Sequence, residues 1–204
     1  MNLANMNWLT LSMLLPLLGT AALAFTPKGN VLLTKQIALA TTVLVAVVGI
    51  LMTINFDFNT PGFQFVESRP WIPAFGINYA LGVDGIALVL ILMSVLLTPI
   101  VVIAGWNESE GGRWSAKTFY SLILVLETMM IGVFASTDVF LFYVFFEAML
   151  VPVYFLIGGF GSGERAAAAV KFLLYSLFGG LLMLASIVGI FVMSTRYGNR
   201  TFDI

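Results

Sequence analysis

Six long apolar segments constrain the fold of this 204-residue chain more than any other feature of its sequence. A helix needs about 20 apolar residues to cross a hydrocarbon layer about 30 Å thick, because each residue rises about 1.5 Å. The sequence therefore predicts membrane-spanning helices at residues 8–25, 37–54, 85–106, 118–137, 139–159 and 166–195. We expect an all-α, polytopic membrane protein in which residues 1–204 form a single membrane domain.

Composition agrees with a membrane protein and excludes several kinds of chemistry. Hydrophobic residues make up 60% of the chain and charged residues 9%, whereas a soluble domain is about one quarter charged. The net charge of −1 provides no basic excess that would bind a nucleic acid backbone. The sequence has no Cys and no His, which excludes thiolate catalysis and removes the usual ligands of zinc, haem and iron–sulfur clusters. Any chemistry must come from carboxylates, lysines and hydroxyls.

The basic residues predict the orientation of the chain. Lys and Arg accumulate in cytoplasmic loops of membrane proteins. The first, third and fifth loops carry the larger group of basic residues, namely Lys28, Lys35, Arg113, Lys117 and Arg165. The second loop has only Arg69, although Arg196 and Arg200 near the end of the chain favour the opposite orientation. We expect the first group in the cytoplasm and both termini of this segment on the outer side.

The longest connection, residues 55–84, is rich in Pro and Gly, so we expect it to lie at the membrane surface. Three acids of this connection, Asp57, Glu67 and Asp84, are widely spaced along the chain. Such spacing is not typical of a metal site. We therefore expect no metal ligand in this chain, and no catalytic residue.

Two acids lie inside the predicted spans. Glu127 is ten residues before Thr137 at the corner between the fourth and fifth spans, and Glu147 is ten residues after it. At about 1.5 Å per residue both lie about 15 Å from that corner, at one depth near the membrane centre. A charged carboxylate at this depth costs at least about 2.5–3.5 kcal/mol, so each acid is a functional candidate.

The two acids allow two interpretations. If Glu127 and Glu147 face each other, at least one of them would hold a proton near neutrality, and such an acid is suited to proton transfer. The alternative is that a neutral glutamic acid donates a hydrogen bond between helices and only stabilises packing. Sequence spacing does not decide between these interpretations, because it does not fix which helix each acid contacts.

Polar groups accompany Glu147 along its helix. Tyr143 and Tyr154 share its face, and Pro152 leaves a backbone carbonyl one turn earlier without its usual N–H partner. Lys171, near the start of the sixth span, is a third candidate for proton transfer. It could pair with Glu147 or extend to the water of the headgroup region.

The sixth span also contains pairs of small residues. Ser176 and Gly180 lie four residues apart, as do Ala185 and Gly189. Residues four apart share one helix face, and small residues there allow a neighbouring helix to approach closely. We therefore expect close helix contact at these positions.

Several blocks of sequence carry a resemblance to a known family, namely Leu81–Ile86, Ile131–Phe134, Asp138–Tyr143, Phe145–Gly158 and Ala168–Tyr175. They resemble the antiporter-like membrane subunits of respiratory complex I, the proton-pumping NADH:quinone oxidoreductase. Within that family, residues 149–154 are most similar to the chain M group. The resemblance implies a fold of about fourteen membrane helices, of which this chain would form the N-terminal six.

The resemblance also implies a role for each candidate residue and a place for the redox chemistry. The family acid that matches Glu147 is the essential acid of a proton channel, and Glu127 and Lys171 match further ionisable positions. Flavin, iron–sulfur clusters and quinone would bind to partner subunits, so this chain would hold no cofactor. Its partners would be lipids and the other membrane subunits of a large hetero-oligomer in the cell (inner) membrane.

Two alternatives to a proton-translocating subunit of an NADH:quinone oxidoreductase remain at this stage. The first is a subunit of a multicomponent cation/proton antiporter or of a membrane-bound hydrogenase, built on the same channel fold. The second is a structural or assembly membrane protein that transports nothing. Co-purification with flavin and iron–sulfur subunits distinguishes the leading interpretation from the first alternative, and neutralising the acids tests the second.

Overall fold

The structure is a computed structural model that describes residues 7–27, 29–107 and 114–196. Within these residues it contains six α-helices: α1 Trp8–Phe25, α2 Val31–Ile54, α3 Gly85–Ala104, α4 Ala116–Ala135, α5 Val139–Phe160 and α6 Arg165–Arg196. Each of them is long and apolar enough to cross a membrane. The prediction of an all-α membrane protein with six spanning helices is therefore confirmed.

Helix α2 begins at Val31, whereas the sequence analysis placed its start at residue 37. The earlier start has a local cause, because the side-chain oxygen of Asn30 accepts a hydrogen bond from the N–H of Leu33 at 3.1 Å and caps the helix. Lys35, which was predicted in a loop, therefore lies inside α2 and is only 4% exposed. Its ammonium group lies 5.3 Å from the centroid of the Trp106 ring, which is within range of a cation–π contact.

The connection between α2 and α3 contains an antiparallel β-hairpin, formed by β1 (Gln64–Ile72) and β2 (Ile77–Val83). The sequence analysis expected a connection rich in turns and did not predict these strands. A single turn of 3₁₀ helix at residues 73–75 reverses the chain, and Gly76 follows it in the left-handed region at a φ of 69°. Pro70 is tolerated in β1 because each strand of a two-stranded sheet has a free edge.

Asp138 fastens the α4–α5 corner to this hairpin. One carboxyl oxygen accepts hydrogen bonds from the N–H groups of Phe140 and Leu141 at 2.9 and 3.0 Å, which caps the start of α5. The other oxygen accepts from the N–H of Asn78 in β2 at 3.0 Å. Asp138 is fully buried, and three backbone donors therefore replace the water that its carboxylate loses.

Glu67 of β1 fastens the hairpin to the start of α1. Its Oε1 accepts hydrogen bonds from the N–H groups of Leu9 and Thr10 at 2.9 and 3.3 Å, and the hydroxyl of Thr10 donates to Oε2. A carboxylate is favourable at a helix N-terminus, where backbone N–H groups have no partner within the helix. The hairpin therefore lies at the end of the bundle that holds the start of α1 and the α4–α5 corner.

Different contacts join the helices at the opposite end of the bundle. The ammonium group of Lys117, in the first turn of α4, donates to the carbonyl of Thr26 at 2.8 Å and to that of Ala24 at 3.2 Å. These carbonyls lie at the C-terminus of α1, where a cation is favourable. Trp114 packs against Gly159 near the end of α5, and a Cβ atom at Gly159 would lie 2.7 Å from Cζ3 of the indole.

Helix α4 lies at the centre of the bundle, where it contacts α1, α2, α3 and α5, while α6 packs chiefly against α5. Buried apolar side chains form two clusters along α4. The cluster nearer the hairpin includes Leu9, Val83, Ile91, Ile131 and Leu141. The cluster at the opposite end includes Leu23, Ala38, Val102, Tyr120 and Leu124. Glu127 belongs to the segment of α4 between these clusters.

We expect Asp138→Ala to lower the free energy of unfolding by about 1.5–3 kcal/mol, because buried N–H groups lose a charged acceptor. The measurement is the thermal unfolding midpoint of the purified protein in detergent. Asp57→Ala is the matched control, since that carboxylate is exposed and bonds only within its own loop. Equal midpoints for the two variants would contradict the role of Asp138 as a buried clamp.

Candidate functional site

Glu127 is 1% exposed, and neither of its carboxyl oxygens has a hydrogen-bond partner among the described residues. It lines a cavity of about 410 Å³ between α3, α4 and α5, together with Ser94 and Thr98 of α3. The hydroxyls of Ser94 and Thr98 donate to the carbonyls of Leu90 and Ser94 at 2.9 and 2.8 Å. Each hydroxyl keeps lone pairs, so a protonated Glu127 could donate to them.

Glu147 extends from α5 towards α6. Its Oε1 atom is buried and has no hydrogen-bond partner in the described part of the chain. The carboxyl group lies against Gly180 of α6: a Cβ atom built there would lie 2.7 Å from Cδ of Glu147 and closer still to Oε1. The carboxyl group therefore lies at the α5–α6 contact, in space that a side chain at residue 180 would occupy.

The two acids contact different neighbours and do not form one site. Glu127 lies eight residues before the end of α4, and Glu147 lies eight residues after the start of α5. Each is therefore about 12 Å from the corner that joins these helices. Glu127 turns towards α3, whereas Glu147 turns towards α6. Where α4 and α5 meet, Gly132 instead contacts the ring of Phe145.

Lys171 lies on the side of α6 that is turned away from Glu147. Nine residues separate Lys171 from Gly180, which at about 3.6 residues per turn is half a revolution of the helix. The same nine residues correspond to about 13 Å along the helix axis. Lys171 is exposed in this chain, as is Tyr175 one turn later at 79%. The structure does not bring Lys171 to Glu147.

The tyrosines of α5 have aromatic neighbours. The ring centroid of Tyr143 lies 6.4 Å from that of Phe140, and the ring of Tyr154 lies 5.3 Å from that of Phe155. Both distances are typical of aromatic pairs. The buried oxygen of Glu147 accepts no hydrogen bond from either phenol among the described residues. Tyr143 and Tyr154 therefore pack with other rings along α5.

The acids of the α2–α3 connection have local structural contacts. The hydroxyl of Thr60 and the N–H of Asn59 donate to Asp57, and these bonds hold the pKa of its carboxyl below the usual range. Asp84 caps α3 by accepting from the N–H of Ala87 at 2.7 Å, as Glu67 caps α1. Within residues 7–27, 29–107 and 114–196 no group of three or more His, Cys, Asp or Glu side chains could hold a metal ion.

Sequence reasoning identified both acids within the membrane spans but missed the surroundings that distinguish them. It noted the close packing that Gly180 permits, without linking that residue to Glu147. It did not single out Ser94 and Thr98, although hydroxyls four residues apart in an otherwise apolar span give a usable signal. These residues share one face of α3, which predicts a polar stripe along that helix.

Comparison with known proteins supports the resemblance found in the sequence. Residues 136–203 match the family model described as NADH:quinone oxidoreductase/Mrp antiporter, transmembrane. NADH-quinone oxidoreductase subunit M of Mycobacterium tuberculosis is 42% identical over 226 residues, covering 98% of this chain and 41% of that protein. Over nearly its whole length the chain is therefore similar to the antiporter-like subunits of NADH:quinone oxidoreductases. Its subunit M relative in Rhodobacter capsulatus is 39% identical, over 92% of this chain and 36% of that protein.

Solved structures show the same fold. A chain of respiratory complex I from Thermus thermophilus superposes with a TM-score of 0.79 at 27% identity, over 96% of this chain and 38% of that chain. A chain of the Mrp complex from Dietzia sp. gives a TM-score of 0.71 at 22% identity, over 92% of this chain and 20% of that chain. This chain spans about two fifths of the length of the subunit M relatives that it matches.

Glu127→Met tests whether this acid stabilises helix packing. A buried carboxyl without a hydrogen-bond partner lowers stability by about 1–3 kcal/mol, so we expect the apolar variant to be as stable as the parent or more stable. The measurement is the thermal unfolding midpoint of the purified protein.

Thr128→Val is the matched control on the same helix. The Thr128 hydroxyl donates to the carbonyl of Met13 in α1 at 3.2 Å, so its loss lowers stability by about 0.5–1.5 kcal/mol. If Glu127→Met lowered the midpoint more than Thr128→Val does, Glu127 would be a packing residue that hydrogen-bonds between helices.

Proposed function

We propose that this chain forms part of a proton-translocating membrane subunit of an NADH:quinone oxidoreductase. One observation carries the proposal: a carboxyl oxygen of Glu147 is buried inside a membrane span without a hydrogen-bond partner in the described part of the chain. An acid retained in such a place needs a reason, and proton relays in membrane proteins use acids of this kind. The subunit M relatives support the same assignment.

Glu147 would carry the proton in this proposal. A carboxyl group gains or loses a proton without any change in the backbone, and the charge of nearby residues decides which form is favoured. Glu127, at equal depth on α4, would be a second protonatable group with its own surroundings. Lys171, about 13 Å nearer the α5–α6 loop and on the opposite face of α6, would influence Glu147 only through its charge at a distance.

Electron transfer would take place in partner subunits. The described residues provide no metal ligand group, and the sequence lacks the Cys and His that hold most redox metals. A relative from Methanosarcina mazei, named F(420)H(2) dehydrogenase subunit M, is 40% identical over 74% of this chain. The same kind of membrane subunit would thus work with different electron donors, as part of a large hetero-oligomer in the cell membrane.

A cation/proton antiporter subunit is the second candidate, because the matched family model covers Mrp antiporters as well. The likeness to the Dietzia Mrp chain, at 22% identity, concerns the fold alone. Purification of the complex from its membrane separates the candidates. Flavin and iron–sulfur subunits in the preparation would support the oxidoreductase, and their absence would support the antiporter.

We expect Glu147→Gln to abolish proton pumping or reduce it strongly while the complex still assembles, because Gln keeps the shape of Glu but does not exchange a proton. The measurement is NADH-driven acidification of inverted membrane vesicles, normalised to the amount of assembled complex. Glu164→Gln is the matched control, since Glu164 is exposed in the α5–α6 loop. Full pumping by assembled Glu147→Gln enzyme would refute the proposed role.

Lys171→Ala separates two roles of that lysine in the same assay. A lysine that only extends to headgroup water can be replaced with a small effect on pumping. Lys171 lies exposed on the face of α6 that is turned away from Glu147, which supports such a small effect. We therefore expect a milder loss than in Glu147→Gln. Equal loss in the two variants would favour a working ion pair between these residues.

We infer that the hairpin end of the bundle faces outward and the opposite end faces the cytoplasm. Lys117 and Arg165 lie at the opposite end, as the preference for cytoplasmic basic loops predicts. Lys28 and Arg113 of the predicted cytoplasmic group lie outside the described residues, as does Arg200, which favours the opposite orientation. Lys35 lies inside α2 and no longer counts as a loop residue. The excess of basic residues in the predicted cytoplasmic loops is therefore smaller, but it still favours the same orientation.

Cysteine labelling measures this orientation directly, because the 204 residues contain no Cys. We expect a membrane-impermeant maleimide to label Phe75→Cys in right-side-out vesicles and Ser162→Cys in inverted vesicles. Both positions are exposed, Phe75 in the hairpin turn and Ser162 in the α5–α6 loop. The reverse labelling pattern would place both termini of this segment in the cytoplasm.

A further inference from the structure

We propose that Gly180 is a positioning residue for the proton-carrying acid, because its missing side chain provides the space that holds the Glu147 carboxyl at the α5–α6 contact. This inference rests on the proposed role of Glu147. The three atoms nearest to a Cβ at Gly180 all belong to the Glu147 carboxyl group. A methyl group at this position would therefore meet that side chain before any other side chain of the described residues.

The consequence of such a methyl group follows from the flexibility of Glu147. The carboxyl group is the far end of a side chain with three rotatable bonds, whereas the helices are held by packing along their whole length. A methyl group at residue 180 would therefore turn the carboxyl aside and leave α5 and α6 in place. Non-bonded carbon atoms settle about 3.5–4.0 Å apart, so Cδ of Glu147 would move by about 1 Å or more.

A displacement of this size matters for proton transfer, although it matters little for folding. Proton transfer needs donor and acceptor within hydrogen-bond reach, about 2.6–3.2 Å apart. A shift of about 1 Å takes the acid out of that range and can reduce the rate of a positioned reaction by about 100-fold. Gly180 would thus control where the proton is presented without touching the proton itself.

Gly180→Ala tests this inference in the assembled enzyme. We expect assembly at the parental level and a several-fold lower rate of proton pumping per complex in inverted vesicles. Gly158→Ala is the matched control at the same helix pair, since a Cβ there would lie 3.5 Å from Cβ of Ala169, an ordinary contact. Parental pumping by Gly180→Ala, alongside lost pumping in Glu147→Gln, would overturn this inference and leave the proposed function standing.

A double-mutant cycle distinguishes positioning from general packing. Glu147→Asp shortens the side chain by one methylene, so it also moves the carboxyl group. If Gly180 acts through Glu147, the variant with both Gly180→Ala and Glu147→Asp should pump no worse than the poorer single variant. If the two fold-losses multiply, Gly180 acts independently of the acid and the inference is wrong.

The level of assembled complex is a second measurement, and it does not depend on the rate of proton pumping. If Gly180→Ala fails to assemble, adding Glu147→Ala removes the side chain to which the three atoms nearest the new methyl group belong. Restored assembly in this double variant would confirm that the two residues occupy one space. Continued failure, with Gly158→Ala assembling normally, would show that the methyl group meets something else and would overturn the inference.

Discussion

The cost of an unpaired polar group in hydrocarbon governs the whole structure. Within the membrane, water cannot replace a missing hydrogen bond, so backbone groups must be satisfied inside each helix. The constraint is strictest where helices begin, because their first N–H groups have no partner within the helix. Glu67, Asp84 and Asp138 each supply carboxyl oxygens to such N–H groups at the hairpin end of the bundle. Acids that look scattered along the sequence therefore have one shared structural task.

The same constraint explains why the β-hairpin contributes more than a connection between α2 and α3. Through Glu67 it reaches the start of α1, and through the N–H of Asn78 it reaches Asp138 at the α4–α5 corner. One surface element thereby fixes the relative position of helices distant in sequence. Helix α6 packs chiefly against α5, so among the described residues the position of its Gly180 depends mainly on that helix contact.

Glu127 and Glu147 are exceptions, because each has a buried carboxyl oxygen without a hydrogen-bond partner among the described residues. Both lie about 12 Å from the same corner, yet each enters a separate environment: hydroxyls and a cavity on α3 for Glu127, and the glycine contact on α6 for Glu147. Two acids with separate neighbours can hold and release protons independently. If the proposed function is right, this separation makes the two acids separate proton-transfer positions and not a pair that shares one proton.

The sequence alone determined the helical class, the six spans and the equal depth of the two acids, since these depend on hydropathy and residue spacing along one helix. It also indicated the resemblance to the antiporter-like subunits, through blocks centred on α5, and the comparisons support that resemblance. The hairpin escaped prediction because Pro70 and Pro73 interrupt its pattern, and the burial of Lys35 escaped because the capping contact of Asn30 extends α2. Which helix each acid faces, and the outward position of Lys171, were decided by the tertiary structure. Spacing fixes the angle between residues on one helix, whereas the rotation of a helix towards its neighbours depends on the packing of all of them.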